Sequence, residues 1–285
     1  MKLVSISGML ADAKRNRYAV GAFNVLNLEM FQALAHAAEA ENSPIIVQIW
    51  QGHLEHFGGR YIGAIAKAAA ESLSVPIALQ LDHGQNFEQV KSCIDWGFSS
   101  IMIDLSSSGF SDNINHTKEV VEEAHLKGIS VEAELGKIFS GESSVDQQRS
   151  SMTDLDHAAQ FVDETDIDAL AVSVGTAHGA YSHGPFIDFE LLEKLIHQVQ
   201  IPIVIHGGSF TADEDIKKMI RLGVAKINIG TQLMMEFVHG VKKILQEGNK
   251  DVSALEMLDH AQTRVEKLIR NKIRLLNSLR IDTNG

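Results

Sequence analysis

The sequence predicts a (β/α)8 TIM barrel with extra helices at both ends, forming a single domain over residues 1–285. Short runs rich in β-branched residues alternate with amphipathic stretches of helical length, which is the pattern of parallel strands joined by helices. There are eight such runs, and eight parallel strands close into a barrel. A doubly wound open sheet would need a glycine-rich phosphate turn after the first strand, and the segment there reads GAFNVLN (Gly21–Asn27).

The predicted elements follow one another along the whole chain. The strands are Tyr18–Asn24, Pro44–Ile49, Pro76–Asp82, Ser99–Asp104, Ile129–Glu134, Ile167–Val174, Ile201–His206 and Val224–Ile229. The helices between them include Leu28–Glu41, Tyr61–Ser72, Phe87–Trp96, Asp112–Lys127 and Asp213–Leu222. A glycine able to end a helix precedes three of the strands, at Gly97, Gly128 and Gly223. The remaining ends, Lys2–Arg15 and Ser253–Leu279, are predicted to be helices that close the barrel floor or contact another subunit.

Composition narrows the class of protein. A hydrophobic fraction of 45% and a charged fraction of 22% are typical of soluble globular proteins. The net charge of −12 has the wrong sign for binding nucleic acid or an anionic membrane. A single cysteine, Cys93, excludes a disulfide framework and a cysteine-rich zinc module. Since no segment has the apolar length of a signal peptide or a membrane span, we expect a cytoplasmic protein.

Polar side chains gather at the C-terminal ends of the predicted strands, where a TIM barrel places its active site. They are Asn24, Asp82, His83, Asp104, Glu134, His206 and Asn228, with His178 just past the sixth strand. Any one of these histidines alone is more commonly structural. Three histidines facing one opening, however, fit a catalytic zinc site, which takes three imidazoles and leaves one coordination position open.

Each carboxylate near these histidines has two possible roles. Asp104 and Glu134 end neighbouring strands and form either a second, looser cation site or hydrogen-bonded supports for a ligand histidine. Asp82 either transfers a proton to an oxygen polarised by the metal or supports an imidazole. Glu132 and Lys226 lie one layer deeper, and their opposite charges predict a buried ion pair with a structural role.

Small-residue turns follow the seventh and eighth strands, where this fold commonly binds phosphate through backbone amides. They are Gly207-Gly208-Ser209 and Asn228-Ile229-Gly230-Thr231. Two such turns at both expected positions favour a phosphorylated substrate.

Ordered motifs on successive strands resemble one known family nearly end to end. They are LDHG (Leu81–Gly84), VEAELG (Val131–Gly136), GTAHGAY (Gly175–Tyr181), VIHGGS (Val204–Ser209) and KINIGT (Lys226–Thr231). These motifs are similar to those of the class II, metal-dependent ketose-bisphosphate aldolases. The resemblance implies reversible cleavage of a ketose phosphate or bisphosphate, such as fructose or tagatose 1,6-bisphosphate. The products would be dihydroxyacetone phosphate and an aldehyde, formed through a metal-stabilised enediolate in a homodimer or homotetramer.

The resemblance also implies roles for individual residues. One Zn²⁺ ion would bind His83, His178 and His206, with Asp104 and Glu134 at a second or alternate metal position. Asp82 would protonate the aldehyde oxygen during condensation, and Glu142, on the loop after the fifth strand, would remove the C3 proton of the donor. The substrate would contact Asn24, Gly179, Gly207, Gly208, Ser209, Asn228, Ile229, Gly230 and Thr231.

Several positions depart from the pattern of the family. Trp50 stands where a small hydroxyl residue is usual, and Leu105 and Ser107 replace a glycine and a histidine. A lysine common after the sixth-strand histidine is missing from Ser182–Gly184. The acceptor aldehyde is therefore expected to differ from glyceraldehyde 3-phosphate.

Further alternatives remain open at this stage. Within the same fold, a metal-dependent isomerase or epimerase uses the same chemistry without an acceptor pocket. A non-catalytic sugar-phosphate-binding subunit is a third possibility, although it predicts loss of ligands that this chain retains. Arg270 and Arg280 are either contacts for a distal phosphate or solvated charges of the C-terminal helix.

Overall fold

Eight parallel strands form a closed barrel in the computed structural model, which describes residues 2–139, 144–179, 186–246 and 251–277. Each strand pairs with the next along the chain, and β8 pairs with β1 to close the ring. The strands are β1 (Val20–Asn24), β2 (Ile45–Trp50), β3 (Ile77–Gly84), β4 (Ser100–Ile103), β5 (Ser130–Leu135), β6 (Ala169–Val172), β7 (Ile203–Ile205) and β8 (Val224–Ile229). The predicted TIM barrel is confirmed, and each predicted strand is found.

Helices follow the strands on the outside of the barrel, and one further helix, α1, precedes the first strand. Those within the described residues are α1 (Ile6–Asn16), α2 (Leu28–Ala40), α3 (Leu54–Phe57), α4 (Gly59–Ser72), α5 (Phe87–Asp95), α6 (Phe110–His125), α7 (Val145–Arg149), α8 (Leu155–Thr165), α9 (Phe189–Gln198), α10 (Asp213–Leu222), α11 (Thr231–Gln246) and α12 (Ala254–Asn277). A 3₁₀ turn at Gln51–His53 links β2 to α3. None of the described helices has both the length and the apolar character needed to cross a membrane.

Short polar side chains start several helices at the rim of the barrel. Asn27, Asn86, Asp154 and Asp188 each accept a hydrogen bond from a backbone amide in the first turn of the helix that follows. These bonds satisfy amides that have no partner within the helix, so each helix begins at a defined residue.

The barrel interior is divided into layers because alternate residues of each strand point inward. The interior nearest α1 is mainly apolar, and Ala22, Ile46, Ala78 and Met102 are buried in one cluster with side chains of α1. The prediction that an end helix closes the barrel floor is therefore confirmed for α1.

The second end helix, α12, packs along α2 and α11 on the outer wall. There Arg270 Nε donates to Glu41 Oε1 at 2.8 Å, and Arg274 binds the same carboxylate. Glu41 follows the C-terminal end of α2, which lies at the floor end of the barrel. Arg270 is thus placed in an ion pair away from the rim, and Arg280 lies outside the described residues.

Candidate active site

The end of β3 turns its polar residues into the barrel mouth through an unusual backbone conformation. His83 has a φ of 53°, in the left-handed region that non-glycine residues rarely adopt. The pairing of β3 with β4 shifts register at the same place, between Leu81 and Gly84. A Cβ at Gly84 would approach the Met102 carbonyl oxygen to 2.7 Å, so this turn requires glycine. Such conformations are concentrated at functional sites.

Three histidines from β3, the turn after β6 and the end of β7 converge at this mouth. The ring centroids of His83 lie 5.0 Å from His178 and 4.7 Å from His206. One nitrogen from each ring lies within 4.8 Å of the others. The sequence predicted this convergence.

Hydrogen bonds determine which nitrogens are available as ligands. His83 Nδ1 lies 2.8 Å from Asp104 Oδ2, and His206 Nε2 lies 3.0 Å from Glu132 Oε1. Because a carboxylate accepts, these nitrogens carry the protons. The Asn228 Nδ2 group, 3.0 Å from His206 Nε2, is then a contact and not a hydrogen-bond donor to it. The remaining nitrogens, His83 Nε2 and His206 Nδ1, face each other at 3.0 Å. Two lone pairs at this distance repel unless a proton or a metal cation lies between them, so the donor set fits a bound cation.

Two carboxylates lie on the opposite side of the His83 ring. Glu134 Oε2 is 3.8 Å from His83 Nδ1, and this buried oxygen has no hydrogen-bond partner among the described residues. His83, Asp104 and Glu134 also place one possible ligand atom each within 4.8 Å of one another. His83 is therefore shared by two groups of possible metal ligands, and Asp104 also supports its imidazole directly.

Burial and neighbouring charges shift the pKa values in this cluster. Burial disfavours protonation of His83, but the charge of Asp82 and two further carboxylates outweigh burial and raise the pKa of His83 to about 9. Burial and the other two imidazoles lower the pKa of His178 to about 3. Burial, with a contribution from Asp104, raises the pKa of Glu134 to about 8. The surroundings thus favour a positive charge on His83 and keep His178 in the neutral form that binds metals.

Asp82 lies next to the histidines and is held by three amide side chains. Asn24 Nδ2 donates to Asp82 Oδ2 at 2.7 Å. The other carboxylate oxygen, Oδ1, lies 3.3 Å from both Asn228 Nδ2 and Gln48 Nε2. The carboxylate is only 5% exposed but lines the cavity. Its position is therefore fixed while one side faces the substrate space.

A buried polar layer lies directly beneath these groups. Lys226 Nζ is 2.7 Å from Glu132 Oε2, and both side chains are fully buried. Gln80 Nε2 donates to the same oxygen at 2.9 Å, and Lys226 Nζ donates to Asn228 Oδ1 at 2.7 Å. Burial opposes ionisation of Glu132, but the Lys226 charge outweighs it and lowers the pKa of Glu132 to about 2. The predicted buried ion pair is confirmed, and it also contacts the site above.

A cavity of about 820 Å³ opens above Asp82 and His83. Of the predicted substrate contacts, its lining includes Asn24, Gly179, Gly207, Ser209, Asn228, Gly230 and Thr231. The Ser209 hydroxyl joins the turns after β7 and β8 by accepting from the amides of Gly230 and Gln232. The Ser209 hydroxyl therefore fixes Gly230 in the turn after β8. The cavity meets the N-terminus of α11 at this turn, and a helix N-terminus favours a bound anion.

Two predicted substrate contacts lie behind this lining. Ile229 points outward into the core between the barrel and its helices, because β8 turns Lys226 and Asn228 inward. The amide of Gly208 donates to the Asn228 carbonyl oxygen. Glu142 and the segment 180–185 lie outside the described residues.

The structure adds site residues that sequence reasoning missed: Gln48, which is fully buried and contacts Asp82, and His53, Met234 and Met235, which line the cavity. The sequence could have indicated Gln48, because it precedes Trp50 by two residues on β2 and so points to the same face of the sheet. His53 lies on the 3₁₀ turn after β2, and Met234 and Met235 lie near the start of α11. No sequence pattern indicates the direction of these side chains. Trp50 itself lines the cavity.

The other two departures from the family pattern lie on the loop after β4. Ser107 lines the cavity. Leu105 is partly buried against the hydrophobic core.

The fold and the site together define a TIM-barrel enzyme with a candidate metal centre. The family model "Fructose-bisphosphate aldolase class-II" matches residues 4–280. A fructose-bisphosphate aldolase of Staphylococcus aureus is 38% identical over 96% of this chain and 97% of its own length. One of Geobacillus stearothermophilus is 37% identical over 98% of both chains. The YdjI aldolase of Escherichia coli K12, known from a crystal structure, superposes with a TM-score of 0.85 at 34% identity, over 97% of this chain and 98% of that one.

The chain belongs to the class-II fructose-bisphosphate aldolase family. This confirms the predicted family and the prediction of an aldolase, a carbon–carbon lyase of carbohydrate metabolism that acts on phosphorylated sugars. The family is metal-dependent, and the convergent histidines and carboxylates fit that dependence.

Proposed function

We propose that this single-domain protein is a zinc-dependent aldolase that cleaves a ketose phosphate or bisphosphate into dihydroxyacetone phosphate and an aldehyde. Fructose 1,6-bisphosphate and tagatose 1,6-bisphosphate are the reference substrates. The observation that carries the proposal is the convergence of His83, His178 and His206 beside Asp82 at the mouth of one cavity. We further propose a cytoplasmic homodimer or homotetramer, as expected from the resemblance and the composition.

The three histidines are proposed to hold the cation, with Asp104 and Glu134 at a second or alternate position. Zinc suits three imidazole ligands with one position open. When bound, it supplies Lewis-acid stabilisation of the negative charge that develops on the donor's oxygens. Asp104 and Glu132 orient two of the imidazoles through their protonated nitrogens.

Asp82 is proposed to handle the proton of the aldehyde oxygen. In cleavage its carboxylate accepts the proton of the C4 hydroxyl as the C3–C4 bond breaks, and in condensation it returns that proton. Asn24 and Asn228 hold the carboxylate in place. The C3 proton is assigned to Glu142 on the strength of the resemblance alone.

The phosphate of the donor is proposed to bind at the turns after β7 and β8. Gly179, Gly207, Ser209 and Thr231 line this part of the cavity, where α11 begins. Gly208, Ile229 and Gly230 are proposed to shape these turns. The dipole of α11 favours an anion at its N-terminus, where the Gly230 and Gln232 amides donate to Ser209 Oγ.

The test is deuterium exchange of dihydroxyacetone phosphate in D2O, followed by NMR with and without a metal chelator. Chelator-sensitive exchange of a single C3 proton supports the donor half-reaction. The variant Asp82→Asn separates the readings, because an aldolase keeps exchange but loses cleavage by about 10²- to 10⁴-fold. An isomerase or epimerase instead converts the sugar without releasing a triose. No exchange by a folded, zinc-loaded sample refutes the proposal.

A further inference from the structure

One wall of the cavity is aromatic and stands next to Asp82. Trp50 ends β2, and its Cα is the ladder partner of the Cα of Asp82 on β3. Paired residues on neighbouring strands project to the same face of a sheet, so the indole and the carboxylate enter the same barrel mouth. Both side chains line the cavity. An aldehyde oxygen that exchanges a proton with Asp82 therefore brings the rest of its chain alongside Trp50.

The indole is held in place and remains open to the cavity. His53, on the turn after β2, packs edge-on against it, with ring centroids 5.0 Å apart and an interplanar angle of 81°. Trp50 is still 42% exposed, which is high for a large aromatic side chain at a strand end. Met234 and Met235 extend the apolar surface of the same cavity.

The two ends of the cavity differ in their chemistry. The donor end lies at the N-terminus of α11, which favours a phosphate. At the Trp50 wall the face of an aromatic ring carries partial negative charge, which repels an anion. Among the described residues, the cavity lining contains no lysine or arginine, whereas it includes the carboxylates of Asp82 and Asp104. The described lining therefore offers a terminal phosphate dianion no lysine or arginine, while the C–H groups of a polyhydroxylated chain can pack on the indole.

We propose that Trp50 determines acceptor specificity and selects ketose 1-phosphates whose far end is uncharged over ketose 1,6-bisphosphates. The inference rests on the proposed aldolase function. It assigns the aldehyde product to the class of neutral hydroxyaldehydes, released with dihydroxyacetone phosphate.

The experiment compares kcat/KM for fructose 1-phosphate and fructose 1,6-bisphosphate, which differ only in the terminal phosphate. Both release dihydroxyacetone phosphate, so one coupled assay of that product serves both. We expect the zinc-loaded enzyme to favour the monophosphate by about tenfold or more, and Trp50→Ser to reduce that ratio by about tenfold, about 1.4 kcal/mol.

Two further variants make the comparison specific. Trp50→Phe keeps an aromatic face and should retain the preference of the unmodified enzyme. Tyr61→Ser removes an aromatic ring that is 72% exposed on α4 and does not line the cavity, so its ratio should equal that of the unmodified enzyme. Zinc content and circular dichroism establish that each variant is folded and loaded.

The outcomes separate this inference from the function on which it rests. A preference of the unmodified enzyme for the bisphosphate, or an unchanged ratio in Trp50→Ser, overturns the inference. Chelator-sensitive exchange of dihydroxyacetone phosphate without cleavage of either ketose also overturns it and leaves the aldolase proposal standing. Absence of exchange removes the aldolase proposal and the inference together.

Discussion

Removing Lys226 should destabilise the fold far more than removing a surface lysine with an equally short ion pair. Lys226 Nζ lies 2.7 Å from Glu132 Oε2, and neither side chain has any exposed area. Lys226→Met leaves the Glu132 carboxylate in the barrel interior with only the hydrogen bonds of His206 and Gln80. Breaking a buried pair on one side costs about 3–5 kcal/mol, a large part of a total stability of about 5–15 kcal/mol.

The assay is urea unfolding in the presence of a chelator, so that metal binding does not contribute to the free energy of unfolding. The matched control is Lys217→Met, which removes a pair with Glu214 at 2.8 Å on the surface. That pair should contribute about 0–1 kcal/mol. The double variant Glu132→Gln with Lys226→Met removes both charges and should recover at least about 2 kcal/mol of the loss.

Two results would refute this reasoning. One is a loss of less than about 1 kcal/mol in Lys226→Met, equal to that of the surface control. The other is a double variant as unstable as the single variant, since this would show that the uncompensated charge of Glu132 is not the source of the loss. Either result would mean that water or a rearranged side chain compensates the charge of the Glu132 carboxylate in Lys226→Met.

Three further predictions concern separate parts of the molecule. His178→Ala should lower the zinc bound per chain, measured by atomic absorption, with an unchanged circular dichroism spectrum. Hydrogen bonds from the α12 arginines outweigh burial and hold the pKa of Glu41 below its ordinary value. The stability that Glu41 contributes is therefore present above its unfolded-state pKa and is lost as pH falls through its folded-state pKa. Glu41→Gln should therefore flatten the fall in Tm on acidification, and an unchanged slope would contradict this. Gly207→Ala should lower stability by about 1–3 kcal/mol, because φ is +79° and a Cβ would collide with the Ala177 carbonyl. Gly8→Ala, in open space on α1, should not lower the Tm.

Hydrophobic periodicity predicted the barrel because each strand is buried on its outer face against helices. The predicted and observed bounds of β8, Val224–Ile229, coincide. The sixth strand was predicted as Ile167–Val174 and spans Ala169–Val172. The apolar run is longer than the paired part of β6, because residues of the adjoining turns remain buried after strand pairing has ended.

The sequence predicted which residues gather at the candidate site better than it predicted their geometry. Strand ends of a closed barrel must meet, so the gathering of three histidines followed from topology alone. The left-handed conformation of His83 did not follow, because it depends on the register shift between β3 and β4. Nor did the outward direction of Ile229, which becomes clear only once Lys226 and Asn228 are known to point inward.

The spacing of two residues along each strand links the site to the layer beneath it. Inward positions recur at every second residue, so Glu134 stands above Glu132, Asn228 above Lys226 and Asp82 above Gln80. The lower members bind one another and also reach upward, since Glu132 contacts His206 and Lys226 contacts Asn228. A substitution in the lower layer therefore moves groups at the mouth without entering the cavity. Stability and site geometry are coupled through this layer, and Lys226→Met should alter both together.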